Sequence, residues 1–195
     1  GTSEFGKELD SLTDFVSFGI APVFILYFWV LNKYGKLGWT ITLIYSVCCV
    51  LRLARFNLTK FDKQHLWKNN YFEGVPSPAG GILILMPLIF ELSGLNFNFD
   101  IKQISPYFTV IIAVLLVSKV PTLSLKKISI SPKATAFILL GIGIIFISLL
   151  DYTFETLLVF GLVYLISIPI SFFIYKNKSR KETLETSEDE HEDVL

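Results

Sequence analysis

Net charge, cysteine and histidine are scarce in this chain. Its 195 residues include two cysteines and two histidines, and 17 basic side chains balance 17 acidic ones. Cys48 and Cys49 are adjacent inside an apolar run, where neighbouring helix positions point in different directions, so we expect packing residues rather than a disulfide or a metal site. His65 and His191 are isolated in polar segments, which gives no indication of zinc. No nucleic-acid partner is expected.

Charged residues are also scarce inside the long apolar runs. The chain is 52% hydrophobic and 15% aromatic, and each of six runs is long enough to cross a hydrocarbon core of about 30 Å as a helix. The runs lie near 12–31, 38–55, 78–95, 104–123, 134–150 and 154–175. We therefore predict an all-α fold, a polytopic membrane protein with six transmembrane helices in this chain.

Lysine and arginine are concentrated in alternate segments between these runs. The intervening loops hold only Lys33, Lys36 and Lys102, and short cytoplasmic loops carry the excess of positive charge. Both ends are therefore predicted to be cytoplasmic, in a cell (inner) membrane. The chain opens with polar residues, so no cleavable signal peptide is predicted.

The last segment, 176–195, is first basic and then acidic. Because it has too little apolar surface to fold alone, we predict a disordered, charged cytoplasmic tail. Residues 1–175 then form one transmembrane domain.

Two aspartates stand at the polar edge of the first run. Gly6, Asp10 and Asp14 follow a Gly-x3-Asp-x3-Asp spacing, and steps of four keep both carboxylates on one helix face. Such a pair at a membrane edge can hold metal ions. Aspartate is also favoured in the first turn of any helix, so the spacing alone leaves both interpretations open.

Together with the residues around it, this spacing resembles the CDP-alcohol phosphotransferase family, whose signature is D-x2-D-G-x2-A-R-x8-G-x3-D-x3-D. Gly6, Asp10 and Asp14 match its last glycine and last two aspartates. Three stretches are similar to the bacterial and archaeal phosphatidylserine synthases of that family. They are Leu9 to Pro22, Leu51 to Asn57 with Phe72 to Gly80, and Leu115 to Lys126.

The first half of the signature, D-x2-D-G-x2-A-R, does not occur in the sequence. The resemblance therefore implies a fragment that begins inside the eight-residue spacer. Such synthases look like eight-span proteins, so about two N-terminal spans would be missing here. We expect the fragment alone to be inactive, and the resemblance implies a homodimer.

The family moves a phosphatidyl group from CDP-diacylglycerol to an alcohol and releases CMP, and this resemblance implies L-serine as the acceptor. Charge that gathers on the diphosphate would be met by Mg²⁺ or Mn²⁺. By the same resemblance, Asp10 and Asp14 would bind the metal. Asp14 would also take the proton of the serine hydroxyl.

Further site residues are expected at the cytoplasmic ends of the spans. Gly6 would let the backbone approach the nucleotide phosphates, or would only form a simple turn before a helix. Lys119 would meet the lipid phosphate. The arginines would bind the serine carboxylate, or would only satisfy the positive-inside bias. The expected acceptor-binding residues are Arg52, Arg55, Asn57 and Ser77.

Two alternatives stay open. The acceptor could be glycerol phosphate or inositol phosphate, which would call for a denser basic pocket. The chain could also be a non-enzymatic transporter or assembly subunit in which Asp10 and Asp14 only begin a helix. Few charged residues lie deep within the predicted spans, which weakens the transporter alternative.

Overall fold

Helices make up most of the chain in the structure, a computed structural model that describes residues 3–58, 71–95, 100–123 and 132–192. His65, residues 124–126 of the third family-like stretch and residues 193–195 of the tail lie outside these ranges. The helices are α1 (Glu4–Asp14), α2 (Ala21–Trp29), α3 (Lys36–Leu58), α4 (Ser77–Ile84), α5 (Met86–Leu92), α6 (Ile101–Val117), α7 (Pro132–Asp151) and α8 (Thr153–Glu192). A π-helical turn, Phe15–Ile20, joins α1 to α2, and a 3-10 turn, Leu31–Tyr34, precedes α3.

Three helical segments are long and apolar enough to cross a membrane, judged by length and composition. They are Phe5–Trp29, Lys36–Leu58 and Thr153–Asn177, and two shorter apolar helices are Ile101–Val117 and Phe137–Asp151. A mainly helical membrane protein is therefore confirmed, whereas the count of six spans stays a prediction.

The third predicted span, 78–95, is divided into two helices. α4 ends at Ile84 and α5 begins at Met86, with Leu85 between them at φ −83° and ψ −5°. Pro87 has no N–H to donate to the carbonyl four residues earlier, and its ring crowds that carbonyl. The break therefore follows from a proline inside an apolar run.

The fourth predicted span, 104–123, ends earlier than expected. α6 stops at Val117, Ser118 is extended with ψ 159°, and the chain then forms strand β2 (Pro121–Leu123). β2 pairs antiparallel with β1 (Tyr71–Glu73), with Phe72 opposite Thr122. This small ribbon is an addition to the all-α fold that the sequence predicts.

α8 continues past the last predicted span, 154–175, as far as Glu192. Its backbone therefore includes most of the segment that was expected to be a tail. Disorder of 176–195 stays a prediction from composition.

Polar side chains join the helices at two opposite ends. At one end, Lys102 Nζ lies 2.8 Å from Glu91 Oε1 and 5.8 Å from the ring centroid of Trp29, which links α6, α5 and α2. At the other end, Asn57 Nδ2 donates to Ser11 Oγ at 2.9 Å, linking α3 to α1. From α1 to α6 the chain thus alternates between these two ends.

Gly74 lies in the turn after β1, and both its backbone N–H and its carbonyl are hydrogen-bonded. Its N–H donates to Val120 O at 2.8 Å, and its carbonyl accepts from Thr122 Oγ1 at 2.9 Å. Its φ of +77° is in the left-handed region, and a Cβ at this position would lie 2.7 Å from Ser118 O. Only glycine fits here without strain.

Val75 is bonded in the same way to two further elements. Its N–H donates to Leu115 O of α6 at 3.3 Å, and its carbonyl accepts from Arg52 Nε of α3 at 3.0 Å. The four backbone groups of Gly74 and Val75 therefore tie together α3, α6, the linker after α6 and β2. We call these two residues the 74–75 turn.

We predict that Gly74→Ala destabilises the protein more than Gly94→Ala does. Both glycines have positive φ, but nothing lies within 4 Å of a Cβ at Gly94, so that variant bears only the backbone cost of about 1–2 kcal/mol. Gly74→Ala adds the collision with Ser118 O. Thermal unfolding in detergent, followed by circular dichroism, measures the two Tm values; equal losses would contradict this close approach.

Candidate functional site

Asp14 is the last residue of α1 and faces into the helix bundle. It is half-buried, whereas Asp10 is exposed one turn earlier on the same helix. The Asp14 carboxylate acts electrostatically on Arg52 and Cys49 of α3. The predicted helix face shared by Asp10 and Asp14 is therefore formed, and its inner member lies near one of the predicted arginines.

A π-helical turn begins immediately after Asp14. Pro22 has no N–H, so the carbonyl of Phe18, four residues earlier, cannot receive its ordinary α-helical bond. The Tyr45 hydroxyl of α3 donates to this carbonyl at 2.9 Å. Turns of this kind form where the regular bonding ladder is interrupted.

Close packing accompanies this bond. A Cβ at Gly19 would lie 3.1 Å from Cys49 Sγ, and a Cβ at Gly81 would lie 3.2 Å from Phe18 Cα. The π turn is therefore pressed between α3 and α4. Cys49 is fully buried in the core, as expected for a packing residue, and both cysteines are free. This packing fixes the orientation of α1 and therefore the position of Asp14 at its end.

Arg52 is 7% exposed and is held in a defined position. Nε donates to Val75 O, and the guanidinium carbon lies 5.2 Å from the ring centroid of Phe56. Within the described part of the chain, Arg52 forms this hydrogen bond from Nε and no other. Its two terminal nitrogens are therefore available to an anionic ligand.

Arg55 and Asn57, one turn further along α3, make contacts that join helices. Arg55 Nη1 donates to Val117 O at 2.7 Å, a carbonyl at the C-terminus of α6 where a cation is favoured by the helix dipole. Asn57 bonds to Ser11 on α1. Both side chains border the region of Asp14 and Arg52 and have at least one structural partner.

Ser77 begins α4 and is 1% exposed. Its Oγ has no hydrogen-bond partner among the described residues. Cys49 is the neighbouring side chain, although the two do not reach hydrogen-bond geometry. A buried hydroxyl without a partner is uncommon in native proteins and requires an explanation.

Tyr164 of α8 is a second such residue, which the sequence did not single out. Its hydroxyl is buried and has no partner in hydrogen-bond geometry within the described ranges. Tyr164 interacts electrostatically with Arg52 and lies beside Thr122, whose proton is donated to Gly74 O. A single tyrosine in an apolar run carries no signal that distinguishes it from a packing residue.

Gly6 and Lys119 are exposed. The Gly6 N–H donates to Ser3 Oγ at 3.1 Å, which caps the N-terminus of α1. Lys119 follows Ser118, the cap residue of α6, on the way to β2. Both residues lie in segments that lead toward the end of the bundle where Asp14 is found.

The carboxylates of Asp10 and Asp14 suit a hard divalent cation by donor type. Among the side chains that the structure describes, no group of three or more from His, Cys, Asp or Glu is arranged to hold a metal ion. Mg²⁺ is often bound by one or two carboxylates together with water and substrate phosphates. The pair therefore fits part of such a site.

Residues 1–118 match the family model of the CDP-alcohol phosphatidyltransferases. The chain belongs to this family. The resemblance found in the sequence is thereby confirmed, and the matched segment includes Asp10, Asp14, Arg52 and Ser77. Lys119 and Tyr164 lie beyond it.

Curated relatives carry the name CDP-diacylglycerol–serine O-phosphatidyltransferase. The protein of Helicobacter pylori strain J99 is 28% identical over 181 residues, which are 91% of this chain and 75% of that protein. The protein of Mycobacterium bovis is 35% identical over 144 residues, 73% of this chain and 50% of the relative. The protein of Mycobacterium leprae is 33% identical over 175 residues, 87% of this chain and 56% of the relative. The chain thus spans about half the length of these mycobacterial relatives.

We predict that Tyr45→Phe destabilises the π turn. The substitution removes the hydroxyl that bonds to the Phe18 carbonyl, and loss of a buried bond of this kind costs about 1–3 kcal/mol. Tyr107→Phe is the matched control, because Tyr107 on α6 is 74% exposed. Thermal unfolding in detergent should give a lower Tm for Tyr45→Phe alone, and an unchanged Tm would show that the bond adds nothing to stability.

Proposed function

We propose that the protein to which this chain belongs transfers a phosphatidyl group from CDP-diacylglycerol to L-serine, forming phosphatidylserine and CMP. Membership of the family supports the transfer reaction, and the names of the relatives support serine as the acceptor. The observation that carries the proposal is the inward-facing Asp14 carboxylate beside the buried Arg52.

Asp14 and Arg52 have complementary tasks in this proposal. The Asp14 carboxylate accepts the proton of the serine hydroxyl as it attacks the phosphorus atom. The terminal nitrogens of Arg52 bind the serine carboxylate and so orient the hydroxyl toward Asp14. Ser77, with its unpartnered hydroxyl, contacts the serine ammonium or hydroxyl.

Asp10 and Asp14 together hold Mg²⁺ or Mn²⁺ in this proposal. A cation held there would supply positive charge to the diphosphate oxygens as they become more negative. Asp10 is exposed at the polar edge and Asp14 is half-buried, so the pair can meet a ligand that comes from the surface of the membrane. The remaining ligands come from water, substrate phosphates or other parts of the complete protein.

The other predicted site residues have supporting tasks. Gly6 and Lys119 are proposed to meet the nucleotide and lipid phosphates. Arg55 and Asn57 are proposed to border the acceptor site, where their bonds to Val117 O and Ser11 Oγ also hold α3, α6 and α1 together.

The membrane arrangement is proposed as six spans with both ends of the chain in the cytoplasm, in a cell (inner) membrane. The alternation of the helices between the Asp14 end and the Lys102 end supports this order. It puts the polar site at the cytoplasmic leaflet, from which CDP-diacylglycerol enters sideways. A homodimer is proposed on the family resemblance alone.

We predict that the 195-residue polypeptide alone releases no CMP from CDP-diacylglycerol and serine. Its sequence lacks D-x2-D-G-x2-A-R and therefore two of the carboxylates of the family signature. A chimera tests the reason: the residues that precede the aligned segment in the Helicobacter pylori relative are joined before Gly1. Radiolabelled serine should enter phosphatidylserine only with the chimera, and CMP release by the polypeptide alone would overturn the prediction.

We predict that Asp14→Asn in this chimera lowers kcat by about 10²–10⁴, the usual contribution of a general base. Asp151→Asn, at an exposed position on α7, is the matched control and should retain activity. Normal synthesis with Asp14→Asn would favour the alternative in which the aspartates only begin a helix. Product from glycerol phosphate or inositol phosphate, with none from serine, would favour the other acceptors.

A further inference from the structure

α8 brings a tyrosine hydroxyl into the interior of the bundle. The helix packs against β2 and α5, and the approach to α5 is close, because a Cβ at Gly161 would collide with the side chain of Met86. Tyr164 follows Gly161 by three positions and therefore lies on nearly the same side of α8. Its hydroxyl is buried.

The Tyr164 hydroxyl is polar, buried and unpartnered within the described residues. Burying a hydroxyl without a hydrogen bond costs about 1–3 kcal/mol. Thr122 is close, but its hydroxyl and that of Tyr164 do not meet in hydrogen-bond geometry. The protein therefore keeps a donor that the fold itself does not use.

The residues around Tyr164 indicate which kind of ligand its hydroxyl binds. Arg52 is an electrostatic neighbour of Tyr164 and also of Asp14. One unpartnered hydroxyl, that of Tyr164, thus lies near a guanidinium whose terminal nitrogens have no partner among the described residues. The second, that of Ser77, lies beside Cys49, one helical turn before Arg52 on α3.

A guanidinium with an adjacent hydroxyl donor is suited to a small carboxylate, which accepts hydrogen bonds on both oxygens. We infer that the Tyr164 hydroxyl and the Arg52 guanidinium together bind the carboxylate of the amino-acid acceptor. Tyr164, from a helix outside the matched family segment, is then a specificity-determining residue. This inference rests on the proposed function.

The test is Tyr164→Phe in the chimera, with KM measured separately for L-serine and for CDP-diacylglycerol. Loss of a hydrogen bond to a charged group should raise the KM for serine about tenfold or more. The KM for CDP-diacylglycerol should not change. The rise in Tm that saturating serine causes should become smaller at the same serine concentration, because binding is weaker.

Stability separates this role from a structural one. Removing an unpartnered buried hydroxyl should leave the Tm of the serine-free protein unchanged or slightly higher. Tyr152→Phe is the matched control, since Tyr152 is 64% exposed at the turn between α7 and α8, and it should change neither KM. Ser77→Ala supplies a second variant of the same pocket, with the same expected direction for serine.

Each other outcome would overturn the inference. An unchanged KM for serine, with phosphatidylserine still formed, would remove Tyr164 from the acceptor site and leave the proposed function intact. A raised KM for CDP-diacylglycerol alone would assign the hydroxyl to a phosphate. A lower Tm with both KM values unchanged would give it a structural role. Failure of the unmodified chimera to use serine would reject the proposed function and this inference with it.

Discussion

Saturated hydrogen bonding of the 74–75 turn is the constraint on which the polar end of the bundle depends. Buried backbone groups must find partners, and here all four of them do so in other parts of the chain. Arg52 is positioned by one of these bonds and Thr122 by another, while Ser77 begins its helix two residues later. A two-residue turn, whose Val75 side chain is itself buried in the core, thus sets the geometry of a region that the apolar helices surround. Packing of the apolar helices stabilises the fold, and these hydrogen bonds fix the positions of α3, α6 and β2 relative to the turn.

Much of the helical architecture could be predicted from the sequence, because the length of an apolar run and the position of its prolines are local properties. The runs lead to the observed helices, and Pro87 accounts for the division of the third run. What could not be predicted is which group replaces a missing bond. Pro22 predicts that the Phe18 carbonyl lacks its α-helical partner. Only the packing of α3 shows that the Tyr45 hydroxyl donates to this carbonyl instead. The β1–β2 ribbon was missed for a related reason, since three-residue strands carry too little pattern to detect.

For the candidate site, too, local features could be predicted from the sequence, whereas contacts between distant segments could not. Asp10 and Asp14 could be predicted as a pair because their spacing fixes a shared helix face without any knowledge of the fold. Arg52 and Ser77 were predicted as site residues through the family resemblance. The structure shows that both side chains are buried in the polar interior of the bundle. Tyr164 is separated from Asp14 by most of the chain, and its proximity to Arg52 depends on how α8 packs against β2. No local pattern encodes that distance, so a sequence argument passes over it.

α7 is apolar and exposed along nearly all of its described side chains, and its main contact is with α8. The protein's own atoms therefore supply only a small part of the dispersion contacts that this helix needs. Acyl chains or another polypeptide must supply the rest, whereas the interior around Asp14 draws on α3, α4 and α8. Removal of lipid is then expected to loosen the outermost helix first, while the polar interior retains its shape.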